Sequence, residues 1–259
     1  MDITLAVCKR KVKRMNEVNS VKVTTIVDND IWEKGFSSTW GISFYVETFK
    51  ENEKHTVLMD TSGSFETFYK NASKLDIDLT AVEAVFISHW HGDHMGALSQ
   101  VLPLIKHSVP VYVPSADSSG IREIKNANGK PVVCSEPIEF IEGLMSTGKM
   151  PTGISEHSLI INVKDKGLVV LTGCSHPGII SILKRAREAS GVDKVYAVMG
   201  GFHISGTNVG VKVGEFLKEL NVEIASPCHC TGYDARKGIA KVVGEKYVKI
   251  GSGKIITVG

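Results

Sequence analysis

After position 88 the chain repeats one arrangement: an apolar strand runs into a short histidine-bearing loop, and a helix follows. Strand Ala84 to Ile87 leads into Ser88-His89-Trp90-His91-Gly92-Asp93-His94, and the strand pair Leu159 to Val163 and Leu168 to Leu171 leads into Gly173-Cys174-Ser175-His176. Val195 to Met199 leads into Gly200-Gly201-Phe202-His203, and Glu223 to Ser226 leads into Pro227-Cys228-His229-Cys230. In that stretch only His107 and His157 depart from the pattern. Loops that follow strands in this way converge on one edge of a sheet sandwich, where ligands usually sit.

The rest of the chain narrows the class. Of 259 residues, 42% are hydrophobic and 22% charged, which suits a buried core and excludes disorder. The longest apolar stretches, such as Gly167 to Gly173, fall far short of the roughly 20 residues of a membrane span. No apolar run of about 7 to 15 residues follows the N-terminal bases, so a secretory leader is not expected and a cytoplasmic location is. Five scattered cysteines without a C-x-x-C pair argue against a disulfide scaffold or a four-cysteine cluster. Net charge is +2, yet Lys9, Arg10, Lys11, Lys13 and Arg14 stand in the first fourteen residues, leaving the remainder at −2. Neither nucleic acid nor membrane is therefore an expected partner. Residues 1–20 read as a basic extension, with Met15 an alternative initiator, ahead of one domain at 21–259.

Further strands are expected at Val21 to Val27, Ile42 to Thr48, Thr56 to Met59, Val109 to Val113, Tyr247 to Ile250 and Lys254 to Val258. Helical spacing marks Phe65 to Leu75, Gly96 to Ile105, Ser118 to Asn126, Ile179 to Ala189, Val209 to Leu220 and Ala235 to Val243. Between 114 and 156 the periodicity weakens, and this segment is expected to lie over the active site. Its Arg122, Lys125 and Lys130 are candidates for steadying phosphates.

His89 and His91 are two apart, so on an extended segment both rings project to one side and can grip a single metal ion. Gly92 allows a sharp turn, and Asp93 and His94 then face a second position. Asp60, after an apolar strand and before Ser62-Gly63, suits a carboxylate that accepts an imidazole N–H and fixes the ring. His203 follows two glycines where backbone can approach a ligand closely, which makes it a candidate substrate or phosphate contact or proton donor. Cys228 and Cys230 would point away from His229 on an extended segment and are expected to pack. Trp90, between two ligands, is expected to line the pocket; Trp32 and Trp40 read as core or rim aromatics, and His55 and His107 as ordinary surface histidines.

These motifs resemble a known family. Ser88-His89-Trp90-His91-Gly92-Asp93-His94 is similar to the H-x-H-x-D-H signature of the metallo-β-lactamase superfamily, and Asp60 to its first motif. The set SHWHGDHMGAL, LVVLTGCSHPGI, VMGGFHISG and SPCHCTG resembles the subgroup that contains the dihydropterin-ribofuranosyl-aminobenzene-phosphate synthases and related metal-dependent hydrolases. The resemblance implies an α+β fold, an αββα four-layer sandwich, with two divalent ions at one edge, Zn by default and Mn or Fe as alternatives. It implies a third ligand for the first ion, for which His157 and His176 compete. His176, held after a buried strand by Pro177, is preferred, leaving His157 as a substrate contact. His229 matches the last motif and completes the second site with Asp93 and His94. Where most members carry a bridging aspartate this chain has Cys174, a candidate ligand in its place.

The expected activity is hydrolysis of an ester, lactone or phosphoester, since two ions roughly 3.5 to 4 Å apart lower the pKa of bound water toward ~7. Asp93 and His203 are the expected catalytic side chains, and the substrate a small, possibly phosphorylated molecule. The narrower resemblance implies an alternative, a transferase joining a pterin-methyl diphosphate to an arylamine ribofuranosyl phosphate with release of diphosphate. A metal-binding pseudoenzyme is the third reading.

Overall fold

Apolar alternation opens the chain with a meander: β1 (Ser20–Val27), β2 (Ser43–Lys50) and β3 (Glu53–Met59), each antiparallel to the next. After α1 (Phe65–Lys74), β4 (Ala84–Phe86), β5 (Pro110–Val113) and β6 (Lys130–Val133) extend the sheet in parallel. Their crossovers carry the one-turn helices α2 (Gly92–Met95) and α3 (Leu98–Val101) and the longer α4 (Ser118–Asn126). A second sheet begins with the antiparallel strands β7 (Ile138–Ile141), β8 (Leu144–Ser146), β9 (Leu159–Val163) and β10 (Gly167–Thr172). Then α5 (Ile179–Ser190), β11 (Val195–Gly201), α6 (Thr207–Glu219), β12 (Ile224–Cys228) and α7 (Tyr233–Val243) continue it in parallel. Finally β13 (Ile255–Val258) pairs with β1. This computed structural model describes residues 14–150 and 153–259, so Lys9, Arg10, Lys11 and Lys13 of the basic run lie outside the described residues. Among those described, the strand orders are β13-β1-β2-β3-β4-β5-β6 and β12-β11-β10-β9-β8-β7.

Side-chain alternation divides the apolar residues into three layers of core. Val23, Phe44, Val46, Met59 and Phe86 of the first sheet meet Leu159, Ile161, Leu171 and Met199 of the second. Their strand neighbours face outward: Tyr45, Leu58 and Val85 pack beneath Phe68 and Ala72 of α1 and Ile124 of α4. Ile160, Val170 and Val198 pack beneath Leu183 of α5, Leu217 of α6 and Ile239 of α7. Each large side chain so buried contributes about 1.5–3 kcal/mol. The result is the αββα four-layer sandwich. No helix among the described residues is long and apolar enough to cross a membrane.

Several expectations change. Residues 14–20 are not all appended, because Met15 and Val18 are buried in two of the cores and Met15 N–H donates to Ser190 O at 2.8 Å. The expected helix at 96–105 is shortened to the single turn of α3 and a 3-10 turn at Leu102–Ile105 that contains Pro103, whose ring cannot continue an α-helix. Tyr247 makes an isolated bridge to Ala225 in place of a strand. The segment at 114–156 is more regular than expected: it supplies α4 and three strands that complete both sheets.

Candidate metal centre

Strand direction assembles the site. β1 and β3 both run antiparallel to β2, β4 runs parallel to β3, and β10, β11 and β12 run parallel to one another. Residues 28–29, 60, 88–94, 173–176, 202–203 and 229 each follow the C-terminal end of one of these strands. β9 runs the other way, so the residue that reaches this edge lies before its start, and that residue is Glu156.

The ligand atoms of Asp93, His94, Cys174 and His229 lie within 4.8 Å of one another, and so do those of His89, Cys174 and His176. The two sets share Cys174, whose Sγ is 3.2 Å from His94 Nε2. His91 Nδ1 lies 3.1 Å from His89 Nε2, and its ring stands 5.1 Å from that of His176. Close approach of β10 to the motif loop depends on Gly173, where a Cβ would stand 2.1 Å from Ser88 Oγ and 3.2 Å from His89 Nδ1.

Each inner histidine is oriented from behind. Asp60, fully buried, accepts from Ser88 N–H and Ser88 Oγ at 2.7 Å each and faces His94 Nδ1 at 2.7 Å. Burial pushes its carboxyl up and the Ser88 donors pull it back. The helix that follows is capped by Ser64, which accepts from Thr67 N–H, so Asp60 is free for the histidine. Glu156 accepts from the amides of Cys174, Ser175 and His176 at 3.0, 2.7 and 2.7 Å and meets His176 Nδ1 at 2.8 Å. Burial would raise its pKa, but the hydrogen bonds from His176 and from the amides outweigh it and take it down to about 2. Asn29 Oδ1 lies 3.0 Å from His229 Nδ1, and Asp28 accepts His229 N–H at 2.9 Å.

Electrostatics suit a cation. Burial, then neighbouring histidines, press His94 to about 3 and His89 to about 2, so both stay neutral, the form a metal requires. The decisive atom is His229 Nε2: it is buried with no hydrogen-bond partner, although Asp93 Oδ2 lies 3.2 Å away. With Nδ1 donating to Asn29, a lone pair on Nε2 faces a carboxylate oxygen, and a cation between them resolves that opposition. The donors therefore fit divalent ions. Asp60, His203 and His229 all hold positive φ, at 55°, 49° and 46°, and such strain clusters at functional sites.

The structure thus brings together His89, His91, Asp93, His94, Cys174, His176 and His229, with Asp60 behind His94, and places exposed His203 with its ring 4.6 Å from that of His176. It excludes His157 as ligand or substrate contact. That ring is buried, stacks on Phe86 at 3.9 Å, and spends its nitrogens on Ile87 O at 2.9 Å and Ser146 Oγ at 2.8 Å. Trp90 also turns away: its Nε1 donates to Ser115 O at 3.2 Å and its ring packs on Gly120 of α4. Arg122, Lys125 and Lys130 are exposed on α4 and β6. Glu156, Asn29 and Asp28 were not read from sequence as site residues. The available signal for Glu156 was its place one residue before His157 at a strand start, since alternation sends one of the pair to the site and the other to the core.

A sandwich of this topology with paired donor sets at one edge defines a class, and the family model for the metallo-beta-lactamase superfamily matches residues 43–180, more than half of the chain. The chain belongs to that superfamily. It is 27% identical to a 7,8-dihydropterin-6-methyl-4-(beta-D-ribofuranosyl)-aminobenzene-5'-phosphate synthase of Methanocaldococcus jannaschii, over 93% of this chain and 98% of the relative. Among solved structures, a metal-dependent hydrolase of the beta-lactamase superfamily is 28% identical with a TM-score of 0.73, covering 91% of this chain and 98% of that one. A metallo-beta-lactamase fold protein from Bacillus subtilis shares the fold at 14% identity and a TM-score of 0.64, over 93% and 100% of the two chains.

Proposed function

We propose that this protein is a hydrolase dependent on two divalent ions, acting on an ester, lactone or phosphoester of a small molecule. The observation that carries the reading is the pair of donor sets joined at Cys174. His89, His91 and His176 would hold one ion, Asp93, His94 and His229 the other, with the Cys174 thiolate between. When bound, such ions lower the pKa of a water they hold and polarise the oxygen under attack. The chain's own groups do the rest. Asp60, Glu156 and Asn29 each meet the Nδ1 of one imidazole and so turn its other ring nitrogen inward. Burial and His176 hold His203 below its ordinary pKa of 6.5, so at neutral pH it is an uncharged ring whose one N–H can hydrogen-bond an oxygen of the substrate.

Similarity along nearly the full length of the pterin-related synthase favours a second reading, in which the same site joins a pterin-methyl diphosphate to an arylamine ribofuranosyl phosphate and releases diphosphate. Elemental analysis tests the metal part: two equivalents in the native chain, fewer in His176→Ala and Cys174→Ala, and no change in His157→Ala. One equivalent or none, alike in all variants, would overturn it. Mass spectrometry of products then separates the chemistries, because a condensed pterin product overturns simple hydrolysis and cleavage products alone overturn the transferase.

A further inference from the structure

On an extended segment Cys230 would face away from His229. His229 instead adopts φ 46°, a left-handed turn that is costly outside glycine, and the alternation breaks there. The Cys230 thiol donates to Cys174 O at 3.6 Å. Its Sγ, the Cys174 Sγ and a ring nitrogen of His203 all lie within 4.8 Å of one another. Room for the thiol comes from Gly201 at the end of β11, where a Cβ would stand 2.6 Å from Cys230 Sγ and 3.2 Å from Cys174 Cα. Cys174 is buried, Cys230 half-buried and His203 exposed, so the three donors run from the interior to the surface.

We propose that Cys174, Cys230 and His203 form a further metal site, for a thiophilic divalent ion of the zinc and cadmium class. Two thiolates and one imidazole favour such an ion over Mn²⁺ or Mg²⁺, which prefer oxygen ligands, and leave a fourth tetrahedral position for solvent or substrate. Binding releases the two thiol protons to water. The site does not depend on the hydrolase reading; it shares Cys174 with the other two sets and His203 with the donor role given above, so an ion held here claims both groups.

Titration of the metal-free full chain with Cd²⁺, followed by thiolate-to-cadmium charge-transfer absorption, tests the site. The native band is expected to fall by about half in Cys230→Ser, because one of two thiolate ligands is lost, and to persist in Cys228→Ser, whose thiol lies in the core between the sheets. Equal bands in the native chain and Cys230→Ser overturn the proposal. A measurement on the native chain needs no variant: iodoacetamide should label Cys230 without metal and be blocked by Zn²⁺, and equal labelling in both states overturns the site. Zinc counted in Cys230→Ser reports on the histidine-rich sets separately. Its retention beside a weakened cadmium band supports the site, and a native chain whose histidine sets take no zinc overturns the hydrolase reading alone.

Discussion

Asp60 and Glu156 perform the same task for two different histidines. Each is a buried carboxylate that takes backbone or hydroxyl donors on one side and an imidazole Nδ1 on the other, at 2.7 Å for His94 and 2.8 Å for His176. Replacing either by its amide, Asp60→Asn or Glu156→Gln, is expected to weaken metal binding about 10–100-fold, measured by competition with a chelator. Unchanged affinity would mean the carboxylates do not position the rings. His157 yields a different test because both its ring nitrogens are taken up in the core, by Ile87 O and Ser146 Oγ. Burial presses its pKa from 6.5 to about 3, so between those values the unfolded chain binds a proton that the folded chain refuses. Stability therefore falls as pH drops through that window, by about 1.4 kcal/mol per pH unit for this group. His89 and His94 act in the same direction in the metal-free protein. Glu156 adds to it, since its stabilisation is present above its unfolded value of 4.5 and is lost as pH falls toward about 2. In His157→Phe the difference between urea midpoints at about pH 4 and about pH 6 should shrink; an identical difference would place the titration elsewhere.

At the scale of elements, the site depends on how closely β10 and the loop after β4 approach. In Gly173→Ala the new methyl would stand 2.1 Å from Ser88 Oγ, which is itself held by Asp60, so relief requires moving Ser88 and with it His89. A loss of about 1–3 kcal/mol is expected from such overpacking, together with weaker metal binding, read from urea unfolding and chelator competition on the same variant. Stability equal to the native chain would show that the loop can shift freely. Period-two reasoning held on the segment just past β4: it placed His89 and His91 on one side, with the Trp90 indole between them turned toward α4. It failed at His229, because a positive φ changes which way the following side chain faces, and nothing in Pro227-Cys228-His229-Cys230 announces that turn.

For the whole molecule, the donor sets make folding and metal binding one equilibrium. Ions that bind the folded chain and not the unfolded one stabilise it by about 2.7 kcal/mol at a hundredfold excess over Kd, a rise of several degrees in Tm for a domain of this size. Thermal unfolding with and without Zn²⁺ checks this, and coincident transitions would count against a site formed by the fold. Most of the strands, the histidine loops that follow them and the motif around His89 to His94 were legible in the amino-acid sequence, because apolar alternation and ligand spacing are local properties. The tertiary structure decided the remainder. Glu156 could be chosen over its neighbour His157 only once β9 was seen to run against β10, and Asn29 only once β1 was seen to end beside β12. Cys230 beside Cys174 follows from a contact across 56 residues of chain, which pairing between strands sets and sequence spacing does not.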